Sequence, residues 1–290
     1  AVGTDSMSAN TTGQENVSMG WNSLDANTTG NYNVAIGASA LGVNTTAASN
    51  TAVGYGSLTA NTTGTTNVAV GSTAMAANTT ADNNTGIGAA SMNGNTTGTR
   101  NTAVGSDSLK VNTTGNDNTA VGKGALTANT TASNNTAVGK NALAANTTGA
   151  NNTAVGKSAL DANTTGASNT VLGADALSAD TQGSRSVAIG TSALEVQNFT
   201  TATNTYNVAV GFNAGAAIST GTLNTAVGGL SLDATTTGSY NTAVGYSAGG
   251  AITTGESNVC IGYNAGDAIT TGGANTGLGA GALGATTTAG

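Results

Sequence analysis

The sequence predicts an all-β protein, a parallel β-solenoid (β-roll) of about seventeen coils with 17 residues in each. The first observation behind this is a repeat of constant period, the signature of solenoids. The glycine of a recurring Ala-Val-Gly falls every 17 residues from Gly3 to Gly190 and again from Gly211 to Gly279, with a four-residue insertion near 198–202. The second is that Val, Thr, Ile and Gly dominate the unit, and all are poor helix formers. The third is that apolar residues recur at fixed repeat positions, which we call columns.

The strands follow from the order of residues in the unit, N-T-A-V-G-x-x-A-L-x-A-N-T-T-G-x-x. We predict one extended stretch at Asn-Thr-Ala-Val and a second around Ala-Leu-x-Ala-Asn-Thr, with Gly and Asn at the bends. Each strand is expected to pair in parallel with its counterpart in the next coil, so that coils contact only their neighbours. We therefore treat residues 1–290 as one continuous array. It starts and stops within a repeat, which we interpret as a segment of a longer chain.

The two faces of the first strand differ in residue size. The residue before the glycine, here the aliphatic column, is aliphatic in all repeats, and two residues earlier stands Val or Thr, as in Val34 and Ile36. Residues two apart share a strand face, and we assign this face to the interior. The opposite face carries Ala and Gly, as at Ala52 and Gly54, so we expect another backbone to pack closely there.

Two further columns exchange bulk. The fourth residue after the glycine, the leucine column, is Leu or Met except at Gly215, Gly249 and Gly266. In those three repeats alone, the residue three positions later is Ile (Ile218, Ile252, Ile269), whereas the first ten repeats carry Asn there. Side chains that compensate in volume share one close-packed space. Both columns are therefore predicted to face inward.

This exchange bears on the recurring Asn-Thr-Thr, which fits the N-glycosylation sequon and would then lie on exposed loops. The alternative that we favour is a buried asparagine ladder, in which side-chain amides hydrogen-bond along the stack. The residues of this first asparagine column are Asn10, Asn27, Asn44, Asn61, Asn78, Asn95, Asn112, Asn129, Asn146 and Asn163. A second asparagine column, four residues before the glycine, is interpreted as capping turns.

Composition limits the chemistry that the chain can perform. It contains no histidine, so a Ser-His-Asp triad and histidine metal sites are excluded, and we expect neither an enzyme nor a cofactor. The net charge of −7, with six basic residues, argues against nucleic acid as a partner. No apolar stretch is long enough for direct membrane insertion. The single cysteine, Cys260, is interpreted as a small core residue. Adjacent coils could bring Asp161 and Asp175 together.

The column just after the glycine varies most, from Trp21 to Lys123, and is predicted to face water. Late in the chain, aromatic residues gather near the insertion, and they form either a sugar-stacking or partner-binding contact patch or a cover over small core neighbours or a subunit seam. We favour the cover. These residues are Tyr206, Phe212, Tyr240, Tyr246 and Tyr263.

The string Asn-Thr-Ala-Val-Gly-x-x-Ala-Leu, as in 152–160, resembles the head repeats of trimeric autotransporter adhesins (YadA-like), and Ser186-Val187-Ala188-Ile189-Gly190 matches their core motif directly. It is also similar to Asn-Thr-Thr-Gly repeats of phage tail-fibre proteins. This resemblance implies a left-handed β-roll, usually a homotrimer, displayed on a cell surface or on a virion. The repeat is longer than in adhesin heads. We expect the trimer contact on the Ala/Gly face.

The favoured function is a structural or adhesive extracellular fibre or adhesin shaft, with copies of itself and a host-surface glycan or protein as partners. A phage tail-fibre shaft is the alternative. Ice binding by the Thr columns is less favoured, because adjacent threonines such as Thr28 and Thr29 should point to opposite faces. A polysaccharide-degrading tailspike would need a carboxylate cleft, which the sequence does not indicate.

Overall fold

The computed structural model describes residues 1–285, which contain β-strands, turns and no helix. Its backbone divides into two compact units, Ala1–Thr148 and Gly149–Gly290. The strands of the first unit are β1 (Val17–Met19), β2 (Val34–Ile36), β3 (Thr51–Val53), β4 (Val68–Val70), β5 (Thr85–Ile87), β6 (Thr102–Val104), β7 (Thr119–Val121) and β8 (Thr136–Val138). Those of the second unit are β9 (Thr153–Val155), β10 (Thr170–Leu172), β11 (Gly183–Ser184), β12 (Val187–Ile189), β13 (Thr203–Asn204), β14 (Val208–Val210), β15 (Thr225–Val227), β16 (Thr242–Val244), β17 (Val259–Ile261) and β18 (Thr276–Leu278).

Strands pair in parallel with the same segment one repeat away, so each unit is a β-solenoid and the predicted fold class is confirmed. In the first unit β2 pairs with β3 in the register Val34↔Thr51, Ala35↔Ala52 and Ile36↔Val53. In the second unit β12 pairs with β14 across the insertion, so the repeat resumes in register. The insertion itself adds one small sheet, in which β11 pairs with β13.

The prediction of a second strand in each coil is wrong. The segment around the leucine column runs as consecutive turns, because alternate residues have positive φ, as at Asn22 (52°) and Leu24 (50°). Such left-handed residues cannot continue an extended strand. The segment is still bonded from coil to coil, for example by Leu24 N–H donating to Ala40 C=O at 2.9 Å.

The assignment of the strand faces is also wrong. The central alanine, as at Ala35 and Ala52, is completely buried, whereas Val34 is half-buried and Ile36 is exposed. The reason lies opposite the strand: a Cβ on Gly86, which takes the alanine position, would lie 2.9 Å from Met75 Cγ and 3.0 Å from Ser91 Oγ. The leucine column fills the coil, so only a small side chain fits across from it. The aliphatic column therefore faces outward. The trimer contact expected on the Ala/Gly face is excluded for the same reason, because these alanines are fully buried inside the coil. Cys260 takes the alanine position and is buried, as predicted.

The packing of the core explains why three repeats carry Gly plus Ile where the first ten carry Leu or Met plus Asn. Ile218 is fully buried, and a Cβ on Gly215 would lie 2.9 Å from Ile218 Cδ1 and 3.0 Å from Leu194 Cδ2. The isoleucine thus occupies the volume that a leucine at 215 would fill. Gly249 is related to Ile252 in the same way, with 3.1 Å from the built Cβ to Ile252 Cδ1.

The repeat glycine is required by close approach of the backbone. Gly54 has φ of 129°, a region that side chains rarely adopt, and a Cβ there would lie 2.6 Å from Gly71 O in the next coil. The same contact recurs from coil to coil, which accounts for the unbroken glycine column.

Candidate functional site

The first asparagine column lies inside the solenoid and forms a ladder. In the first unit each Nδ2 donates to Oδ1 of the preceding asparagine, at 2.8–3.1 Å, without a break from Asn10 to Asn146. Asn10 is half-buried, and the remaining members of the column from Asn27 to Asn163 are fully buried. Nδ2 of Asn61 makes a second bond to Gly64 O at 2.9 Å. Because both amide hydrogens are used inside the fold, this Nδ2 is not available for glycan attachment in the folded chain.

The second asparagine column does more than cap turns. Asn50 accepts the backbone N–H of Asn67 on its Oδ1 at 3.0 Å and donates from Nδ2 to Gly64 O at 2.8 Å. Both partners belong to the next coil, and the pattern is repeated at Asn224 and Asn241 in the second unit. These buried side chains satisfy backbone groups that the three-residue strands leave without a partner, and so they tie successive coils together.

The first asparagine column ends in a buried polar cluster at the insertion. Asp180 takes the asparagine position, and its carboxylate accepts bonds from Gly183 N, Phe199 N and Gln197 Nε2 at 3.0, 3.0 and 2.7 Å. Burial raises the pKa of Asp180, while these hydrogen bonds oppose the shift. Gln197 Oε1 in turn accepts from Asn207 Nδ2 at 2.8 Å. The cluster holds Phe199 in the fold and fixes the start of the inserted loop.

The five aromatic residues of the predicted contact patch are exposed, but they stand in two different columns. Phe212, Tyr246 and Tyr263 follow the glycine, whereas Tyr206 and Tyr240 stand five residues before it. Tyr246 and Tyr263 are stacked, with ring centroids 6.1 Å apart and an interplanar angle of 14°. A Cβ on Gly229 would lie 3.5 Å from the Tyr246 ring, so this ring covers a bare stretch of backbone. Gly229 stands in the same outward column as Tyr246, so a cover over core neighbours or a subunit seam stays a prediction.

The column that contains Tyr206 and Tyr240 also contains Arg185 and Leu223, which the sequence analysis did not identify. Arg185 places its guanidinium carbon 5.6 Å from the Tyr206 ring centroid and donates from Nη1 to Tyr206 Oη at 2.7 Å. Leu223 stands in the same column between Tyr206 and Tyr240 and is 42% exposed. The signal that could have identified them is their column, which holds mainly Ser, Asn and other small polar residues elsewhere.

The acidic residues that the sequence singled out lie in successive coils. Burial, with the charge of Asp175 as a lesser cause, raises the pKa of Asp161. Asp175 itself pairs with Lys157 at 3.5 Å, with both side chains more than one third exposed, so the pair adds little stability. Among residues 1–285, no group of three or more Cys, Asp or Glu side chains could hold a metal ion, and no cavity or cleft is found.

The threonines of the Asn-Thr-Thr segments have different surroundings. Oγ1 of the first threonine donates to the next coil, as from Thr28 to Thr45 O at 3.1 Å, whereas the second, Thr29, is exposed. Because the first hydroxyl is used to stack coils, the pair does not form a continuous Thr-x-Thr surface.

No helix in the described part of the chain has the length and apolar character needed to cross a bilayer. Comparison with protein-family models and with curated proteins finds no match for this chain.

Proposed function

We propose that this chain is the shaft of an extracellular structural or adhesive fibre, in which copies associate through the outward face of their strands. The observation that carries the proposal is the exposure of the aliphatic column. Met19 and Leu172 are each 50% exposed, and Ile36, Ile87 and Ile261 also face water. Monomeric soluble proteins rarely expose contiguous apolar patches of more than a few hundred Å², and a larger exposed patch usually marks an interaction site.

The composition of this face suits a second copy of the same chain. The aliphatic column and the Val/Thr column beside it contain only Val, Ile, Leu, Met and Thr, and no charged residue. A second copy presents the same columns at the same spacing, so the faces of two copies can match over many coils. Identical apolar faces can pack together without repulsion between like charges. A homotrimer, which the resemblance implies, would bury this face between its copies.

The contrast with the neighbouring column supports this assignment. The column after the glycine also faces water, yet it accepts residues as different as Trp21, Ser72 and Lys123. The aliphatic column faces water in the single chain and nevertheless stays aliphatic in every repeat. The coil interior does not require this, because the buried position of the strand belongs to the alanine. A constraint from outside the coil, such as another copy, accounts for it.

The role that we propose is mechanical and adhesive rather than catalytic, and its location is the outside of a cell or a virion. It is supported by coils joined through buried asparagines, those of the first column in the first unit and those of the second column in both units, an arrangement that can be extended coil by coil. A cell-surface adhesin shaft and a phage tail-fibre shaft both use such an array, and the resemblance of the repeats is to both.

The test is the mass of the protein in solution, measured by multi-angle light scattering on the full chain. We expect a defined oligomer, and we expect the triple variant Val53→Glu, Val70→Glu, Val104→Glu to dissociate it, because each copy would then place three carboxylates in the contact. The matched control is Ser72→Glu, Ala89→Glu, Ser106→Glu, which adds the same charge one column away and should leave the oligomer intact. A wild-type chain that is monomeric at every concentration, or an oligomer that both triple variants leave unchanged, would refute the proposal.

A further inference from the structure

The column five residues before the glycine has a left-handed backbone from coil to coil, as at Asn83 (φ 59°) and Ser168 (φ 60°). Asn and other small polar residues tolerate this conformation best, and a bulky side chain costs on the order of 1 kcal/mol. Four successive coils of the second unit nevertheless carry large residues in this column. They are Arg185 (φ 65°), Tyr206 (51°), Leu223 (59°) and Tyr240 (62°), which we call the aromatic stripe.

The fold gains little from these four side chains. Arg185 is exposed, and Tyr206, Leu223 and Tyr240 are 45%, 42% and 58% exposed, so about half of each of these three side chains stays in water and its burial does no more than balance the backbone cost. In the first unit the same column carries mostly small polar residues, with large ones at Glu15, Tyr32 and Arg100, so the stripe stands out by its four successive large residues. Large, exposed residues in a strained conformation are typical of functional positions.

The stripe is continuous along the solenoid. Leu223 N–H donates to Thr205 O at 2.8 Å and Tyr240 N–H donates to Thr222 O at 3.0 Å, so these residues stand in adjacent coils about 4.8 Å apart. At one end the Arg185 guanidinium lies over the Tyr206 ring and is hydrogen-bonded to its hydroxyl. The ion pairs found among residues 1–285 do not include Arg185, so its charge is not neutralised by a carboxylate of the chain.

The inserted loop joins the chain at the Arg185 end of the stripe. It is fixed by the pairing of β11 with β13, by Gln182 Nε2 donating to Thr200 O at 3.0 Å, and by Phe199, which is only 8% exposed. Thr200, Thr201 and Ala202 project into water. Insertions in a solenoid commonly lie on the face that binds a ligand.

We propose that the aromatic stripe binds an extended acidic polysaccharide, with the aromatic rings against the sugar faces and Arg185 against a sugar carboxylate. Tyr206 and Tyr240 are two coils apart, about 9.5 Å, which is close to the advance of two sugar units in an extended chain. Arg supplies paired donors that match a carboxylate. The stripe is one side chain wide and four coils long, too small for a stable protein interface of about 800 Å² on each partner.

This inference deepens the adhesive role proposed above and rests on it, but it uses a different surface. The test is equilibrium binding of the full chain to immobilised polygalacturonate and alginate, with methyl-esterified polygalacturonate and poly-L-glutamate as comparisons. We expect binding to at least one of the two acidic polysaccharides, weaker binding to the ester, and no binding to poly-L-glutamate. Arg185→Ser should remove the preference for the free acid over the ester.

The column supplies matched variants that suit its backbone. Tyr206→Asn with Tyr240→Ser should weaken binding roughly tenfold or more, the loss expected for two aromatic contacts, and Leu223→Ser offers a second, independent change. Tyr32→Ser is the control, since Tyr32 stands in the same column (φ 60°, 57% exposed) between Glu15 and Ser49, outside the stripe. Circular dichroism checks that each variant is folded.

Failure of both acidic polysaccharides to bind would overturn the inference, and so would wild-type affinity in the Tyr206→Asn, Tyr240→Ser variant. Equal binding of poly-L-glutamate would overturn it in favour of a peptide or a purely electrostatic partner. Stripe variants should keep the oligomeric mass of the wild type, so failure here is distinguishable from failure of the proposed self-association.

Discussion

Replacing Gly215 by Leu and Ile218 by Ala, singly and together, tests whether two columns of the repeat fill one space. Ile218→Ala removes a fully buried side chain and should lower the free energy of unfolding by about 2–5 kcal/mol. Gly215→Leu adds bulk where the first added carbon already lies 2.9 Å from Ile218 Cδ1 and 3.0 Å from Leu194 Cδ2. We expect it to cost about 1–3 kcal/mol for overpacking and about 1 kcal/mol for a leucine at φ of 60°.

The double variant distinguishes shared from separate spaces. If the two sites were independent, it would cost about 4–9 kcal/mol, the sum of the single effects. Because the new leucine can occupy the space vacated by the isoleucine, we expect a loss of no more than about 2 kcal/mol, most of it from the left-handed backbone. Leu194 and Leu232, in the coils on either side, already show a leucine in this column at φ of 53° and 48°.

The measurement is hydrogen exchange of the backbone amides of Gly215 and Ala217. These donate to Ser231 O at 2.8 Å and to Asp233 O at 3.2 Å, so they report the opening of this coil from the next. The control pairs Ile218→Ala with Gly229→Ala, whose added Cβ would meet Tyr246 rather than Ile218 and whose effect should be additive. Additivity within about 0.5 kcal/mol in the Gly215, Ile218 pair as well would refute the shared space.

Three further predictions concern single residues. Gly54→Ala should lower the free energy of unfolding, measured with denaturant, by about 3 kcal/mol or more, because its Cβ would lie 2.6 Å from Gly71 O. The control Gly42→Ala, whose Cβ would have no atom nearer than 3.4 Å, should change it by less than about 1 kcal/mol. Equal denaturation midpoints for the two variants would contradict this. Thr235→Val should raise stability by about 1 kcal/mol, because it removes a buried hydroxyl without a hydrogen-bond partner, and a lower midpoint would show that the hydroxyl is used. Burial raises the pKa of Asp180, so its contribution is fully present below the ordinary Asp pKa of about 3.9 and is lost as pH rises through the folded-state pKa. Asp180→Asn should therefore flatten the decline of Tm with rising pH, and an unchanged pH profile would refute the assignment.

The sequence predicted the 17-residue period, the parallel stacking of coils and the space shared by Leu and Ile. Each of these follows from residues that recur, or change together, at fixed positions from repeat to repeat. It did not predict which strand face is inside. Alternation separates Ala35 from Ile36, but both are apolar, and hydrophobicity alone then favours the larger side chain for the core. The space across the coil decides otherwise, since the leucine column leaves room only for a small side chain, usually Ala and at most Val171 or Cys260.

The left-handed turns were missed for a related reason. Leu24 at φ of 50° contradicts its intrinsic preference, and most repeats give no sign of it. The glycines at Gly215, Gly249 and Gly266 were a sign, since glycine relieves such a backbone at no steric cost. Volume alone also accounts for these glycines. Side-chain volume and backbone conformation both favour glycine at these positions. Because volume is sufficient to explain the exchange, the sequence gives no separate indication of the left-handed backbone.

The two proposed surfaces differ in the way that their functions require. Contact between identical copies calls for a surface that repeats without interruption, and the aliphatic column has the same character in every coil. Recognition of a ligand at one place calls for a surface that departs from the repeat, and the stripe from Arg185 to Tyr240 does so beside the inserted loop. A uniform solenoid has no reason to place a loop, a buried Asp180 cluster and four strained side chains in the same few coils. Their coincidence is therefore better explained by a local binding function than by the stacking of coils.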